Sequence, residues 1–314
     1  MMRRFFLYIF SICYIGLVWC DSITDGCAQQ KKLADSEIVS MYQQLNLSQK
    51  PLLLINRIDW ISSNFLGKPY VLGALGEGAH ARYDQYPRYR TDAFDCLTYV
   101  NTVLALAFAH DLNEFKIWMR RLNYQHNRYA FLARNHFIEI AQRPRLKDIT
   151  STFVDNNGHI LAKTAYTLID QPGWFRRLPA DTIRLLKPDA QEKSVRWLEL
   201  KIKGQQLKKQ RASVQYLPFT ELFDANLQPN KFVFAQIPSA AVVEIVRPNW
   251  DLSKTIGTNL LVSHIGFVFR NAHGLIFREA SSVDGRVEDL DLVEYLRQAS
   301  KSPTIKGVRI SLPY

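Results

Sequence analysis

The chain is poor in cysteine. Four occur in 314 residues, and three of them, Cys13, Cys20 and Cys27, crowd the N-terminus, leaving Cys96 alone in the body. One isolated thiol cannot form an internal disulfide, so it is either inert packing or a reactive group. Metal-ligand spacing is also missing. His126, His136 and His159 stand apart, no His-Glu-x-x-His occurs, and no metal site is expected. Gly73-x-x-Gly76-x-Gly78 lacks the Lys-Ser/Thr that completes a phosphate loop. No cofactor is expected. The absence of Gly-x-Ser-x-Gly excludes the usual serine-hydrolase elbow. There is no internal repeat, no low-complexity tract, and no stretch of membrane-spanning length after the N-terminal segment.

What is present begins with that segment. Met1 to Arg4 is basic, Phe5 to Trp19 is apolar, and Cys20 follows. A basic start and an apolar run of about 15 residues form a signal-peptide pattern. Residues 1–28 are read as signal peptide and cleavage zone, with release after Ala28 in Gly26-Cys27-Ala28. The alternative is a lipid anchor on Cys20, which the bulk of Trp19 disfavours. Either way the protein is expected to be exported and periplasmic.

The formal net charge is +11, and loss of Arg3 and Arg4 with the leader leaves 11 − 2 = +9. Such a surface is drawn to polyanions. For an exported protein these are cell-wall glycopeptide or a membrane surface, not nucleic acid. The same charge also serves plain solubility.

Apolar residues at helical spacing (Ile38, Tyr42, Leu45; then Leu54, Ile58, Ile61, Phe65) predict helix through 35–65. Residues 67–92 read as a long loop. A helix is predicted from Asp92, taken as its N-cap, with Leu97, Val100, Leu104 and Phe108 as its stripe. Another is expected over 112–122. The cation-rich stretch 172–230 reads as a basic, partly helical insertion or lobe, or simply a solvated face. From residue 231 the pattern turns to strands: Phe232–Phe234, Ala241–Val246, His264–Phe269 and Leu275–Phe277. Helices first and strands last predict an α+β fold. Residues 29–314 are taken as one catalytic domain, with a helical half at 67–150 and a β half at 231–314.

Cys96 falls in the first turn of its helix, where unpaired N–H groups favour a thiolate. A nucleophile also needs a base. His264, a polar ring at the head of an apolar strand, is the candidate. On the residues alone, both also read as ordinary packing.

Three segments carry a family resemblance: Gly67-Lys68-Pro69-Tyr70, Phe94-Asp95-Cys96-Leu97-Thr98-Tyr99-Val100, and Ser263-His264-Ile265-Gly266. Together they resemble the NlpC-type branch of papain-fold cell-wall hydrolases. Arg134-Asn135-His136-Phe137 and Ala280-Ser281-Ser282 resemble, more narrowly, a muramoyl-L-alanine amidase-like subgroup once catalogued as a domain of unknown function. The resemblance implies a papain-like fold, with the nucleophile at a helix N-terminus packed on an antiparallel sheet or half-barrel. It implies Cys96 as nucleophile, His264 as base and then acid, and Tyr70, Asp95 and Ser281 flanking the site and holding substrate. The family's third polar residue is often His in a His-Ala-Ser-like segment; here the segment reads Glu279-Ala280-Ser281. If 264–270 and 275–281 form a hairpin, His264 faces Ser281 and Glu279 shares its sheet face. Glu279 is therefore the expected third member, against its reading as a solvent-facing strand residue. Arg134 and Asn135 are expected near the substrate, where they suit a carboxylate, or else in a hydrogen-bonded loop.

The implied function is an amidase cutting the N-acetylmuramoyl-L-alanine bond of peptidoglycan fragments through a thioester. The alternatives are a γ-D-glutamyl-diamino-acid endopeptidase and a non-catalytic wall-binding protein.

Overall fold

A computed structural model describes residues 23–47, 52–187 and 189–314. The apolar run Phe5–Trp19 and Cys20 lie outside the described residues. The helices are α1 (Ile23–Asn46), α2 (Leu54–Ser63), α3 (Cys96–Phe108), α4 (Leu112–Asn123), α5 (Gln171–Arg177), α6 (Ala190–Gly204), α7 (Phe219–Leu222), α8 (Lys231–Ala235) and α9 (Leu292–Ala299). The strands are β1 (Leu146–Asp148), β2 (Lys163–Ile169), β3 (Gln210–Pro218), β4 (Ala241–Trp250), β5 (Leu260–Asn271), β6 (Gly274–Ser281), β7 (Arg286–Asp291) and β8 (Gly307–Pro313). The class is α+β with an antiparallel sheet. The sheet runs β2-β3-β8-β4-β5-β6-β7, and β1 pairs with the end of β8.

Strand alternation divides the core in two. One face presents Val242, Ile265, Phe267, Phe269 and Ala280 to α2, α3 and α4. The other presents Val243, Ile245, Val268 and Phe277 to α8 and α9. Helix α3 is apolar nearly all round and buried from Thr98 to Phe108, as a helix through the middle of a core must be. Each of its Val and Leu side chains contributes about 1.5–3 kcal/mol by leaving water. Its one buried amide, Asn101, donates to Asn123 Oδ1 at 3.0 Å, and the Tyr99 hydroxyl donates to the Ser62 carbonyl at 3.2 Å.

Several elements differ from expectation. The helix expected from Asp92 starts at Cys96, and Asp95 is its N-cap. Asp92 is spent on an exposed pair with Arg90 instead. Phe232–Phe234 is not a strand but part of α8. Asn230 caps that turn, accepting from Val233 N–H at 3.4 Å, and the turn buries Val233 and Phe234 together on one side. Tertiary burial there overrides the β preference of Phe and Val. The 172–230 segment contributes α5, α6 and also β3, which lies in the sheet between β2 and β8.

Candidate active site

The site lies where β5 and β6 part. They pair from Asn271↔Gly274 to Phe267↔Arg278 and no further. Beyond that point β5 continues along β4, and β6 continues along β7 to Ser281. Each strand is held by its outer neighbour, so backbone groups facing the gap between them are freed for other partners. The N-terminus of α3 fills that gap.

The capping of α3 explains how Cys96 is presented. Asp95 Oδ1 accepts from Thr98 N–H at 2.8 Å, and the Thr98 hydroxyl accepts from Asp95 N–H at 2.9 Å. This is a reciprocal capping box, worth about 1 kcal/mol and fixing the entry angle of the chain. Asp95 Oδ2 accepts from Gly73 N–H at 3.1 Å. Both oxygens therefore serve the scaffold, and Asp95 aims the helix rather than meeting a ligand. Cys96 is a free thiol at the first helical position. The backbone N–H groups of Leu97 and Ile265 face its sulfur. They draw the thiol pKa down, yet burial and the nearby Asp95 and Glu279 carboxylates push it up harder. The pull of the helix N-terminus toward a thiolate is thus opposed chiefly by burial, and next by Asp95 and Glu279.

His264 is aimed by a β-bulge. On β4 the partners of His264 and Val262 are the adjacent residues Ile245 and Val246, so Ser263 is the additional residue. Just before the bulge, Glu139 Oε1 accepts from the N–H groups of both Leu261 and Val262, at 2.7 and 2.9 Å. The imidazole lies edge-on to Phe277 at 6.1 Å. Gly266 leaves room for this packing, because a Cβ there would stand 2.7 Å from the Phe277 ring. Glu279 contacts Nε2 of His264 directly. The hairpin register is the one expected, with Glu279 and His264 diagonal on one face. Burial holds the imidazole down to about 4. Burial, with Glu288 and Asp284 adding to it, lifts Glu279 to about 8. Burial opposes charge on both partners.

Tyr70 is placed by Gly67–Tyr70 running beside β7. Gly67 and Tyr70 donate to the carbonyls of Val287 and Gly285, each at 2.8 Å. Tyr70 also bridges to Phe94, two residues before Cys96. Ser281 is buried and caps the β6–β7 turn, its hydroxyl accepting from Asp284 N–H at 3.1 Å.

Arg134 and Asn135 are structural in this fold. The Arg134 guanidinium is taken by Glu77 and by Asp84, the latter at 3.1 Å, and it packs over Phe131. Asn135 is buried and donates to the Leu122 carbonyl at 3.0 Å. Asp84 is shared with Arg184, which donates to the carbonyls of Gly73 and Leu75, each at 2.6 Å. The network therefore clamps the 71–86 loop whose Gly73 meets Asp95. Arg184, Glu139, Ser263 and the acids Asp284 and Glu288 were missed in the sequence. Single polar residues in loops or at strand ends carry no pattern that marks them. Among the described residues, no three His, Cys, Asp or Glu side chains cluster as metal ligands do.

The helix-borne thiol of Cys96 and the strand-borne His264–Glu279 pair thus meet through the Ile265 N–H and Glu279. Residues 60–305 match the AmiA-like family model, described as N-acetylmuramoyl-L-alanine amidase-like, and the chain belongs to that family. Among solved structures it is similar to a Legionella pneumophila str. Philadelphia 1 protein assigned to the DUF1460 family. That match has 44% identity and a TM-score of 0.88, covering 91% of this chain and 96% of the other. It also shares its fold with an N-acetylmuramoyl-L-alanine amidase from Bacteroides uniformis ATCC 8492, at 19% identity, TM-score 0.54, and 82% and 98% coverage. A putative xylanase from Bacteroides fragilis has the same fold at 18% identity, TM-score 0.53, and 80% and 98% coverage. No curated protein matches the chain.

Proposed function

We propose that this amidase-family protein is an exported cysteine hydrolase of papain-like, NlpC-type design. It cleaves the N-acetylmuramoyl-L-alanine bond of peptidoglycan fragments in the periplasm. The observation that supports this most is the convergence of Cys96, the Ile265 N–H and the His264–Glu279 pair in the gap between β5 and β6.

The chemistry follows from the protonation states. With Nε2 held by Glu279, Nδ1 is the nitrogen left for the thiol. In the resting neutral pair the carboxyl proton sits toward Nε2, and the ring keeps its own proton on Nδ1. Loss of one proton from the pair leaves a carboxylate accepting from Nε2–H, and Nδ1 becomes a free base. Nδ1 then takes the Cys96 proton as the sulfur attacks the lactyl carbonyl. The Glu279 carboxylate stabilises the imidazolium that forms. The oxyanion meets the otherwise unpaired N–H of Cys96 at the helix N-terminus. The imidazolium protonates the departing L-Ala amine, the C–N bond breaks, and a thioester to the sugar lactyl group remains. Water, deprotonated by Nδ1, adds to that thioester and releases the muramic carboxylate and the thiol.

A second reading has its own observation. Glu288 lies directly opposite Glu279 in the β6–β7 register, and Asp284 shares a hydrogen bond with Glu288. Acids so placed suit the free L-Ala ammonium of a stem peptide, which a γ-D-glutamyl endopeptidase must recognise. Mass spectrometry of digests of a muramyl tetrapeptide and of the free tetrapeptide separates the two. Release of intact peptide with a free L-Ala amine from the muramyl tetrapeptide supports the amidase. L-Ala-D-Glu released from the free tetrapeptide, with the muramyl tetrapeptide left intact, establishes the endopeptidase. No turnover of any muropeptide, with binding retained in Cys96→Ala, would leave a wall-binding protein.

A further inference from the structure

A cavity of about 500 Å³ opens between α1, α4 and the 78–89 loop. It shares no lining residue with the cluster around Cys96. Its volume is that of a small-molecule site. Four cations line it, Lys31, Arg88, Lys116 and Arg120, and no Asp or Glu does. The two lysines share one carboxylate behind the wall, Asp35. Among the described residues the two arginines have no carboxylate partner. Arg88 donates to the Glu77 carbonyl at 2.7 Å and stacks on the Tyr129 ring at 4.0 Å. Arg120 approaches the same ring at 5.8 Å, and its buried Nε has no hydrogen-bond partner.

Two guanidiniums gathered on one tyrosine ring repel each other, and a buried donor without an acceptor is costly. An anion between them relieves both. Guanidinium forks match carboxylate and phosphate oxygens in particular. The remaining wall carries the polar His80 and Gln85, and its apolar part, with Pro87, Tyr89, Ile117 and Leu186, would cover a short hydrocarbon body.

We propose that this cavity is a binding site, separate from the Cys96 cluster, for an organic anion. A carboxylate or phosphate monoester sits between Arg88 and Arg120, and its short apolar tail lies against Ile117 and Leu186. The four cations all follow residue 28, so removal of a leader there keeps them and takes only Cys27 and Ala28 from the lining. The Arg88 side of the cavity is also the Glu77 side of the clamped loop, which ties occupancy of the cavity to that loop.

The test is titration calorimetry of the whole protein with sodium hexanoate, hexyl phosphate and uncharged 1-hexanol as probes. Saturable binding of hexanoate or of hexyl phosphate is expected, at least about tenfold tighter than 1-hexanol, since a charge-assisted hydrogen bond is at stake. Whichever anion binds tighter identifies the natural headgroup as carboxylate or phosphate. Arg88→Gln with Arg120→Gln should weaken both anions by at least about tenfold. Ile117→Asp, a change at an exposed helix position, brings a carboxylate into the wall and should weaken them without threatening the fold. Absence of saturable binding into the millimolar range overturns the proposal. So does equal affinity for 1-hexanol, or unchanged affinity in folded variants.

Discussion

Replacing Glu279 by Gln tests the central electrostatic feature of the site, because it removes a titration while keeping size and shape. Glu279 is 3% exposed, and its pKa is lifted from 4.5 to about 8. The folded protein therefore holds this proton more tightly than the unfolded chain. Between those two values unfolding releases the proton, so its contribution to stability is full below pH 4.5 and is lost as pH rises through 8. A shift of that size corresponds to about 5 kcal/mol at about 1.4 kcal/mol per unit. Attraction to a charged His264 returns part of it. The His264 contribution has the opposite sign. Its depressed pKa, about 4, gives stability present above pH 6.5 and lost as pH falls toward 4. Urea unfolding of wild type and Glu279→Gln from pH 5 to 8.5 isolates the Glu279 term. The variant should gain about 2–5 kcal/mol relative to wild type across that range. The same proton gates catalysis. Wild-type kcat/KM should rise with pH through a group near 8. Glu279→Gln should lose that limb, with kcat down about 10²–10⁴-fold. A stability difference that is flat with pH, or a wild-type acidic limb near an ordinary carboxylate value, would refute the reasoning.

Further outcomes follow from the same geometry. Cys96→Ala should abolish hydrolysis and move unfolding by no more than about 1–2 kcal/mol; residual turnover near wild type would remove Cys96 from the mechanism. Gly266→Val should cost about 1–3 kcal/mol by overpacking against Phe277, and should lower kcat more than it raises KM because His264 is displaced; thermal melts and steady-state kinetics report both. Deleting Ser263 removes the bulge and re-aims His264, so a folded variant should lose turnover, as steady-state kinetics would report. Asp84→Ala strips the carboxylate shared by Arg134 and Arg184 and should cost about 3–5 kcal/mol in urea unfolding.

The parts of the site that were legible in the sequence are those whose role is local. Cys96 opens a helix within its own motif, and the Glu279–His264 diagonal follows from a short hairpin with one register. The choice for Arg134 between a place near substrate and a hydrogen-bonded loop stayed open because its partners Glu77 and Asp84 lie about 50 residues upstream in a loop without periodicity. A cation free in sequence and a cation clamped in space look alike there. Asp92 and Asp95 both precede the apolar stripe, and only the Thr98 hydroxyl distinguishes the true cap. The Ser263 bulge leaves no mark because β5 is buried on both faces over Ile265–Phe269, which removes the alternation that would reveal a slip. The helix N-terminus that favours a Cys96 thiolate is visible in sequence, whereas the burial that opposes it most is a product of tertiary packing.

The position of β8 has a consequence for how the molecule comes into being. The last strand of the chain is interior to the sheet, wedged between β3 and β4. A chain still emerging from the ribosome cannot close its sheet around the missing strand, and β4, which carries β5 and hence His264, lacks one neighbour until β8 has emerged. Assembly therefore depends on contacts between distant parts of the chain, the slow kind in folding. A chain halted before Gly307 should be protease-sensitive, with the strand that aims His264 left unsupported on one side.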